Sequence, residues 1–509
     1  MRNWIKWKTW HKWMGVPIAL MLLFFSVTGI IMNHRDLLAS FDVKRSNLPA
    51  NYTYQNWNNA AVKGGLTWRS DSLLVFGNIG IWLTDTSYAS FTPLMQGMKQ
   101  GSDHQKILDL HLSAKGHLYA ATLFGCQAYD ETNHRWVSMP FAQNERVVGI
   151  ENVGDTLYIL SRSHLFKGYD AGIRTHMTQM VLQPAQEMDG KVTLFEVLWQ
   201  THSGEIFGLP GKLWVDMLGL IAFFLSLTGL IYFIFPKWIK RRKKHRQPVR
   251  QIAAVNKWSI LWHNKLGVWV AVCLLVLFIT GMFLRPPLLI AIAQARVAPL
   301  AYSNLDQPNP WHDQLRDLHF DAHRNQLLLS TSTGMYQMDL TRLKPMRMQH
   351  QPPISVMGIN AMIPTQQKGY LVGSFSGLFE WNPDSALVIN HFDGKPYKAQ
   401  ASGKPVGDVK VTGYVTWGEG KNYVFDYDLG VRPLGSSRPF PKMPESIRQA
   451  SGLSVWNLCL EIHTGRFFQF LLGDFYILLV PLTGLFGILV LVSGYFIWKK
   501  KYKHKTKKQ

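Results

Sequence analysis

Five of the 18 histidines in this 509-residue chain stand at the edges of long apolar runs: His11, His34, His202, His263 and His463. An imidazole in such a place either anchors the chain at a polar interface or offers a nitrogen lone pair to a metal. Four of the five recur in matched surroundings. Trp10-His11-Lys12-Trp13-Met14-Gly15 is answered by Trp262-His263-Asn264-Lys265-Leu266-Gly267, and each is followed at the same distance by Thr-Gly, as Thr28-Gly29 and Thr280-Gly281. Thr201-His202-Ser203-Gly204 is answered by Ile462-His463-Thr464-Gly465. Two histidines at equal depth, on symmetry-related helices, can ligate one haem iron from both sides. Six-coordinate bis-histidine iron suits electron transfer, because no position stays open for oxygen or substrate. The pairing expected by depth is His11 with His263 near one surface and His202 with His463 near the other. His34 lacks a counterpart, since Pro286 holds the matching position. It stands as an alternative ligand to His202 or His463.

Helical periodicity adds a groove. Residues 4 and 18 positions apart return to nearly the same face, so His11, Gly15 and Gly29 share one, as do His263, Gly267 and Gly281. A histidine above a stripe of glycines leaves room for a flat ligand, although such stripes also serve plain helix packing. Arg466, Lys212 and Lys265 lie near the candidate ligands and could meet haem propionates. Lipid headgroup contact is the ordinary alternative for each.

These residues need membrane helices to hold them. Four apolar blocks, about 15–32, 213–235, 267–284 and 475–498, reach the length of roughly 20 residues that crosses a bilayer. The net charge of +22 is concentrated beside them. Lys and Arg crowd the N-terminal segment, the 236–265 loop and the tail after Trp498, with no Asp or Glu among them. This positive-inside pattern puts both termini and the middle loop in the cytoplasm and the two long connections outside, in the manner of a bacterial inner-membrane protein. Each basic run abuts a span, so anionic lipid headgroups are the counter-charge and nucleic acid is not an expected partner. The first block begins like a signal peptide. Its match to the third, an internal block, argues that it is kept. Three cysteines, one of them inside a block, make no disulfide framework; nothing in the sequence supports a Cys126–Cys459 bridge.

Outside the blocks, short β-like runs are separated by Gly, Asp and Asn. Ile107-Leu108-Asp109-Leu110-His111-Leu112 and Leu315-Arg316-Asp317-Leu318-His319-Phe320 open two similar units, 147–170 and 358–382 follow the same plan, and 66–85 and 411–428 do so weakly. About three units per half suggest one six-bladed propeller closed by both halves, which would hide the sheet edges. Two separate β-rich domains are the alternative. The fold class expected is therefore membrane α plus all-β: a four-helix transmembrane bundle with a pseudo-twofold repeat and a periplasmic β-rich domain formed by the two long loops. The expected order is 1–34 N-terminus and first span, 35–201 first β half, 202–236 second span, 237–262 basic loop, 263–285 third span, 286–462 second β half, 463–498 fourth span and 499–509 basic tail.

At the histidines and glycines the sequence resembles the PepSY-associated transmembrane family, through His11/Gly15/Thr28-Gly29 with His202/Gly204/Gly211/Gly219/Gly229, and again through His263/Gly267/Thr280-Gly281 with His463/Gly465/Gly473/Gly484/Gly494. The resemblance implies haem b, two by the pairing above, with electrons entering from the cytoplasmic side and periplasmic reduction of a ferric chelate such as a ferric siderophore. No small PepSY domain is identifiable outside the spans, where the β units stand instead. No flavin or nicotinamide domain is recognisable either, so the electron donor is an unidentified partner. The competing expectation is a non-redox membrane sensor or assembly protein whose β domain binds a ligand or partner.

Overall fold

The computed structural model describes residues 2–69, 72–85, 90–366, 368–398, 407–416, 421–435 and 439–506. The side chains of Arg2 and Lys6, and the basic tail from Lys501 on, lie outside the described set. The chain divides into two compact units, one of 1–38, 189–307 and 455–509, the other of 39–188 and 308–454.

The first unit is helical: α1 (Arg2–Asn33), α2 (Leu194–Ser203), α3 (Gly208–Lys244), α4 (Arg250–Trp269), α5 (Ala271–Phe283), α6 (Val455–His463) and α7 (Leu479–Thr506). Among the described residues three helical stretches are long and apolar enough to cross a membrane: Trp7–Asn33, Glu205–Lys244 and Arg466–Lys500. The expected third span is corrected. It is a broken pair, α4 and α5, bent by 69°. The break falls at Val270, whose φ of −100° and ψ of 6° leave the helical region. The sequence around it explains the weakness. Asn256, Lys257, Ser259, Asn264 and Lys265 make α4 polar, so the apolar run starts late and is at the short end of the roughly 20 residues a span needs. Gly267, a poor helix former, precedes the break by one turn.

Small residues let these helices approach, as in other membrane bundles. A Cβ on Gly219 of α3 would lie 3.2 Å from Ile30 of α1, and one on Gly484 of α7 would collide with Met282 of α5. The two glycines are counterparts in the repeat.

The second unit is mainly β, with a short α-helix at Glu445–Ala450. It holds four four-stranded antiparallel sheets, a seven-stranded sheet and a short ribbon of Asp42–Val43 with Leu453–Ser454. Six strands each begin a meander: β1 (Gly64–Thr67), β2 (Ile107–Leu112), β3 (Val147–Val153), β4 (Leu315–Asp321), β5 (Ile359–Pro364) and β6 (Val411–Thr416). The seven-stranded sheet is two meanders joined where β1 and β6 run parallel, at Gly64 and Tyr414. Each of β2 to β6 carries an irregularity between its first and third residues, as at Ile107/Asp109 and Leu315/Asp317. Such bulges bend a strand and re-aim the side chain that follows.

Alternating apolar residues fill the space between sheets. One cluster gathers Trp311, Leu315, Leu327 and Leu329, all wholly buried, around Tyr336. Shortening Leu329 to alanine is expected to cost about 2–5 kcal/mol of stability in this unit, read as a lowered denaturation midpoint of the full chain. A second support is ionic. The buried Asp170 accepts hydrogen bonds from His117 Nδ1 at 2.8 Å and Tyr119 Oη at 2.6 Å. Burial alone would raise its carboxyl pKa, but bonds from Ser113, Tyr119 and His117 outweigh it and hold the pKa below 3.8. A depressed folded-state pKa stabilises above the unfolded value of about 3.9 and loses that contribution as pH falls through the folded value. Melting temperature measured from pH 7 down to 3 should therefore fall less steeply at the acid end in Asp170→Asn than in the parent.

Candidate functional site

The repeat builds the same local structure twice. Thr193 caps α2, its Oγ1 accepting from Glu196 N, a Thr-x-x-Glu start. His202 lies in the last turn, and Gly204, at φ 79°, ends the helix in the left-handed region. A Cβ there would strike the carbonyl of Gly211, so only glycine fits. In the second half His463 ends α6 and Gly465, at φ 80°, follows. The other two histidines are on long helices, His11 on α1 and His263 on α4.

The structure brings the four together in two pairs. The His11 and His263 ring centroids are 6.4 Å apart, and those of His202 and His463 are 6.1 Å apart. All four rings are held in one way, which periodicity did not reveal. His11 Nδ1 reaches Ser493 Oγ at 2.9 Å and Val490 O at 3.1 Å. His202 Nδ1 reaches Thr280 Oγ1 and Leu277 O, both at 3.1 Å. His263 Nδ1 reaches Thr228 Oγ1 and Leu225 O, both at 3.1 Å. His463 Nδ1 reaches Thr28 Oγ1 at 3.0 Å and bonds the Phe25 carbonyl.

These contacts fix the tautomer. A carbonyl only accepts, and each hydroxyl gives its own proton to a carbonyl of its helix: Thr28 to Phe24, Thr228 to Phe224, Thr280 to Val276 and Ser493 to Val490, at 2.8 to 2.9 Å. Each Nδ1 must therefore carry the proton. In the neutral ring the lone pair is left on Nε2, the form that ligates metals.

The residue after each hydroxyl is glycine, and the ring rests on it. Cβ atoms on Gly29, Gly229, Gly281 and Gly494 would lie 3.2, 3.4, 2.7 and 3.1 Å from Cε1 of His463, His263, His202 and His11. The Thr-Gly of α1 thus serves a histidine from another helix, not a groove under His11. The signal was in the sequence: every apolar block carries a Ser/Thr-Gly, and the last carries a second, Thr483-Gly484. Beside His11, Gly15 has nothing within 4 Å of an added Cβ, and Gly267 has only Leu225 at 3.9 Å.

The fifth histidine is engaged elsewhere. His34 Nε2 lies 2.8 Å from Asp216 Oδ2, and Asn33 Nδ2 donates to Asp216 Oδ1 at 2.8 Å. This puts an acidic side chain of α3, buried to 8% exposure, at the end of α1. Among the basic candidates, Lys212 pairs with Glu205 at 3.0 Å and Lys265 lies over Trp262 and Trp269. Arg466 pairs with Glu461, but its Nε is buried without a hydrogen-bond partner. Arg285, close enough to feel the Arg466 charge, has an Nε in the same condition.

A bis-histidine haem can be tested against these residues. Two imidazoles sharing one metal at about 2 Å from each ring nitrogen have centroids roughly 6 Å apart, close to both observed pairs. Among the described residues no three His, Cys, Asp or Glu converge on a metal site, so each pair needs further ligands from a group such as a porphyrin. The open space at Gly15 and the orphaned guanidinium nitrogens of Arg285 and Arg466 fit a flat, acid-bearing ligand. The residues present fit haem. The three cysteines are free, with Cys126 and Cys459 buried, and none joins a cluster of three such ligands among the described residues.

Helices able to cross a bilayer, joined to a separate β-sheet unit, define a membrane protein. More particularly, the model of the PepSY-associated TM region matches residues 2–235 and again 235–501, so the chain belongs to that family. No curated protein matches it. Among solved structures, it is similar to the extracellular domain of a hybrid two-component system of B. thetaiotaomicron, at 10% identity and a TM-score of 0.37, over 79% of this chain and 37% of that one. It is also similar to PorZ of the type-IX secretion system of Porphyromonas gingivalis, at 10% identity and a TM-score of 0.32, over 77% of this chain and 39% of that one. The chain spans less than half the length of either, and scores this low carry no functional weight.

Proposed function

We propose that this chain is an inner-membrane electron carrier that holds two haems b and reduces a ferric chelate, such as a ferric siderophore, on the periplasmic side. The carrying observation is the fourfold Nδ1 anchoring, which leaves Nε2 lone pairs on two histidine pairs about one metal apart. His11 and His263 would hold the inner group, and His202 and His463 the outer. Haem bound there supplies a one-electron ferric/ferrous couple. The hydroxyl and carbonyl behind each ring fix its orientation and raise its basicity. Arg285 and Arg466 would neutralise acidic substituents at the outer pair. An electron donor on the cytoplasmic side and a chelate outside complete the path.

The topology is part of the same reading. Counted as one span, the bent α4–α5 pair makes four crossings, with both termini and the Lys/Arg-rich 236–265 segment cytoplasmic. The six meanders would close into a propeller through the β1–β6 contact, leaving no sheet edge free to aggregate. The test is the optical spectrum of protein purified from haem-replete cells. Sharp reduced-state bands with two haems per chain are expected. A folded, colourless protein would overturn the proposal.

A further inference from the structure

Inside the β unit is a cavity of about 230 Å³ lined by side chains of β2 to β5 and by Lys63. The bulges explain why it exists. The residue after each bulge is Asp109, Gly149, Asp317, Ala361 or Gly413. Three of these five are small. A Cβ on Gly149 would lie 2.8 Å from Asp317 Oδ1, so a larger residue there would fill the space beside that carboxylate.

Most polar groups around the cavity are used by the fold. Asp109 accepts from Leu110 N at 2.8 Å and, across to the next sheet, from Ile150 N at 2.7 Å. Glu151 accepts from Phe320 N at 3.2 Å and lies 3.3 Å from His319 Nδ1. His111 Nε2 bonds Asn152 Oδ1 at 2.7 Å. Two groups are different. Asp317 accepts from Leu318 N on Oδ1 only, so Oδ2 has no hydrogen bond among the described residues. Lys63 makes backbone bonds to Phe76 and Tyr414, while its ammonium has no hydrogen bond or ion pair among them. Burial pushes the Lys63 pKa down and the Asp317 pKa up, and each only partly offsets the other through its opposite charge. Arg146 adds positive charge beside Lys63.

Opposite charges that line one cavity without pairing are arranged for something between them. We propose that the cavity binds a small zwitterion of the α-amino-acid class, with its carboxylate on Lys63 and its ammonium on Asp317. The volume matches about eight waters at roughly 30 Å³ each, enough for a small amino acid and too little for a ferric siderophore. The site is independent of the histidine pairs, so it stands or falls without haem.

The experiment titrates the twenty common L-amino acids, one at a time, into the purified full-length protein, read by melting temperature and calorimetry. At least one should raise the melting temperature and bind one per chain, while its N-acetyl and carboxamide derivatives do not. Lys63→Met and Asp317→Asn should each weaken it at least tenfold. Asp317→Asn is the safer variant, because this carboxylate makes no bond to another sheet and a neutral amide suits a buried place. If no amino acid binds, or if the blocked derivatives bind as well as the parent, the proposal is wrong. Equal binding in both variants would also overturn it.

Discussion

Changing His463 to alanine is expected to remove about half of the haem absorbance and leave the other half unaltered. The reasoning starts from the pairing. His463 faces His202 alone, at 6.1 Å between ring centroids, and His11 faces His263 alone, at 6.4 Å. Loss of one imidazole leaves its partner unable to complete a six-coordinate iron. His34 is already held by Asp216 at 2.8 Å and is not expected to take the place of the lost imidazole. The inner pair rests on different hydroxyls, Ser493 and Thr228, so its bands should stay. His11→Ala should give the mirror result. Pyridine haemochrome assay of haem per chain reads both. Full haem content in His463→Ala, or complete loss in both variants with the fold intact, would refute two separate pairs.

Substitution of Gly281 by valine should damage the outer pair nearly as much without touching a ligand. A Cβ at this position lies 2.7 Å from His202 Cε1, inside van der Waals contact, and α5 backbone cannot yield easily. The ring must turn, and its Nδ1 bonds to Thr280 and Leu277 go with it. Thr280→Val is the milder companion. It keeps the Leu277 carbonyl but loses the hydroxyl, a change that typically costs about 10–100-fold in metal affinity. Haem retention during dilution, compared across Gly281→Val, Thr280→Val and parent, should rank in that order from least to most retained. Equal retention in all three would mean that the glycine and hydroxyl behind His202 are packing features only.

The histidine pairs were legible because the chain carries the same pattern twice, and two copies at equal depth are a pair by symmetry. What holds each ring was not legible. Periodicity relates residues on one helix, so Thr28-Gly29 read as a groove under His11, whereas the helix packed against α1 brings His463 to it. The same limit hid the contact of Asp216 with Asn33 and His34, which lie on a different helical stretch far away in sequence. The third span failed for another reason. Hydropathy sums over a window and cannot register a turn at Val270 that depends on how polar α4 and apolar α5 are each accommodated. In the β unit the repeated Asp-Leu-His of β2 and β4 was visible, but its two aspartates act differently. Asp109 ties neighbouring sheets and Asp317 does not, a distinction made by strand neighbours far apart in sequence.

The way the rings are anchored also sets an order of construction. His11 is made long before its support, Ser493-Gly494. His463 arrives late and rests on Thr28-Gly29, made early. The inner pair therefore lacks Ser493 until α7 has been made, whereas the outer pair has its supports, Thr280 and Thr28, once α6 with His463 is in place. Synthesis proceeds at about 5–20 residues per second, so the stretch from His463 to Ser493 separates the completion of the two pairs by a few seconds, and the outer pair is complete first.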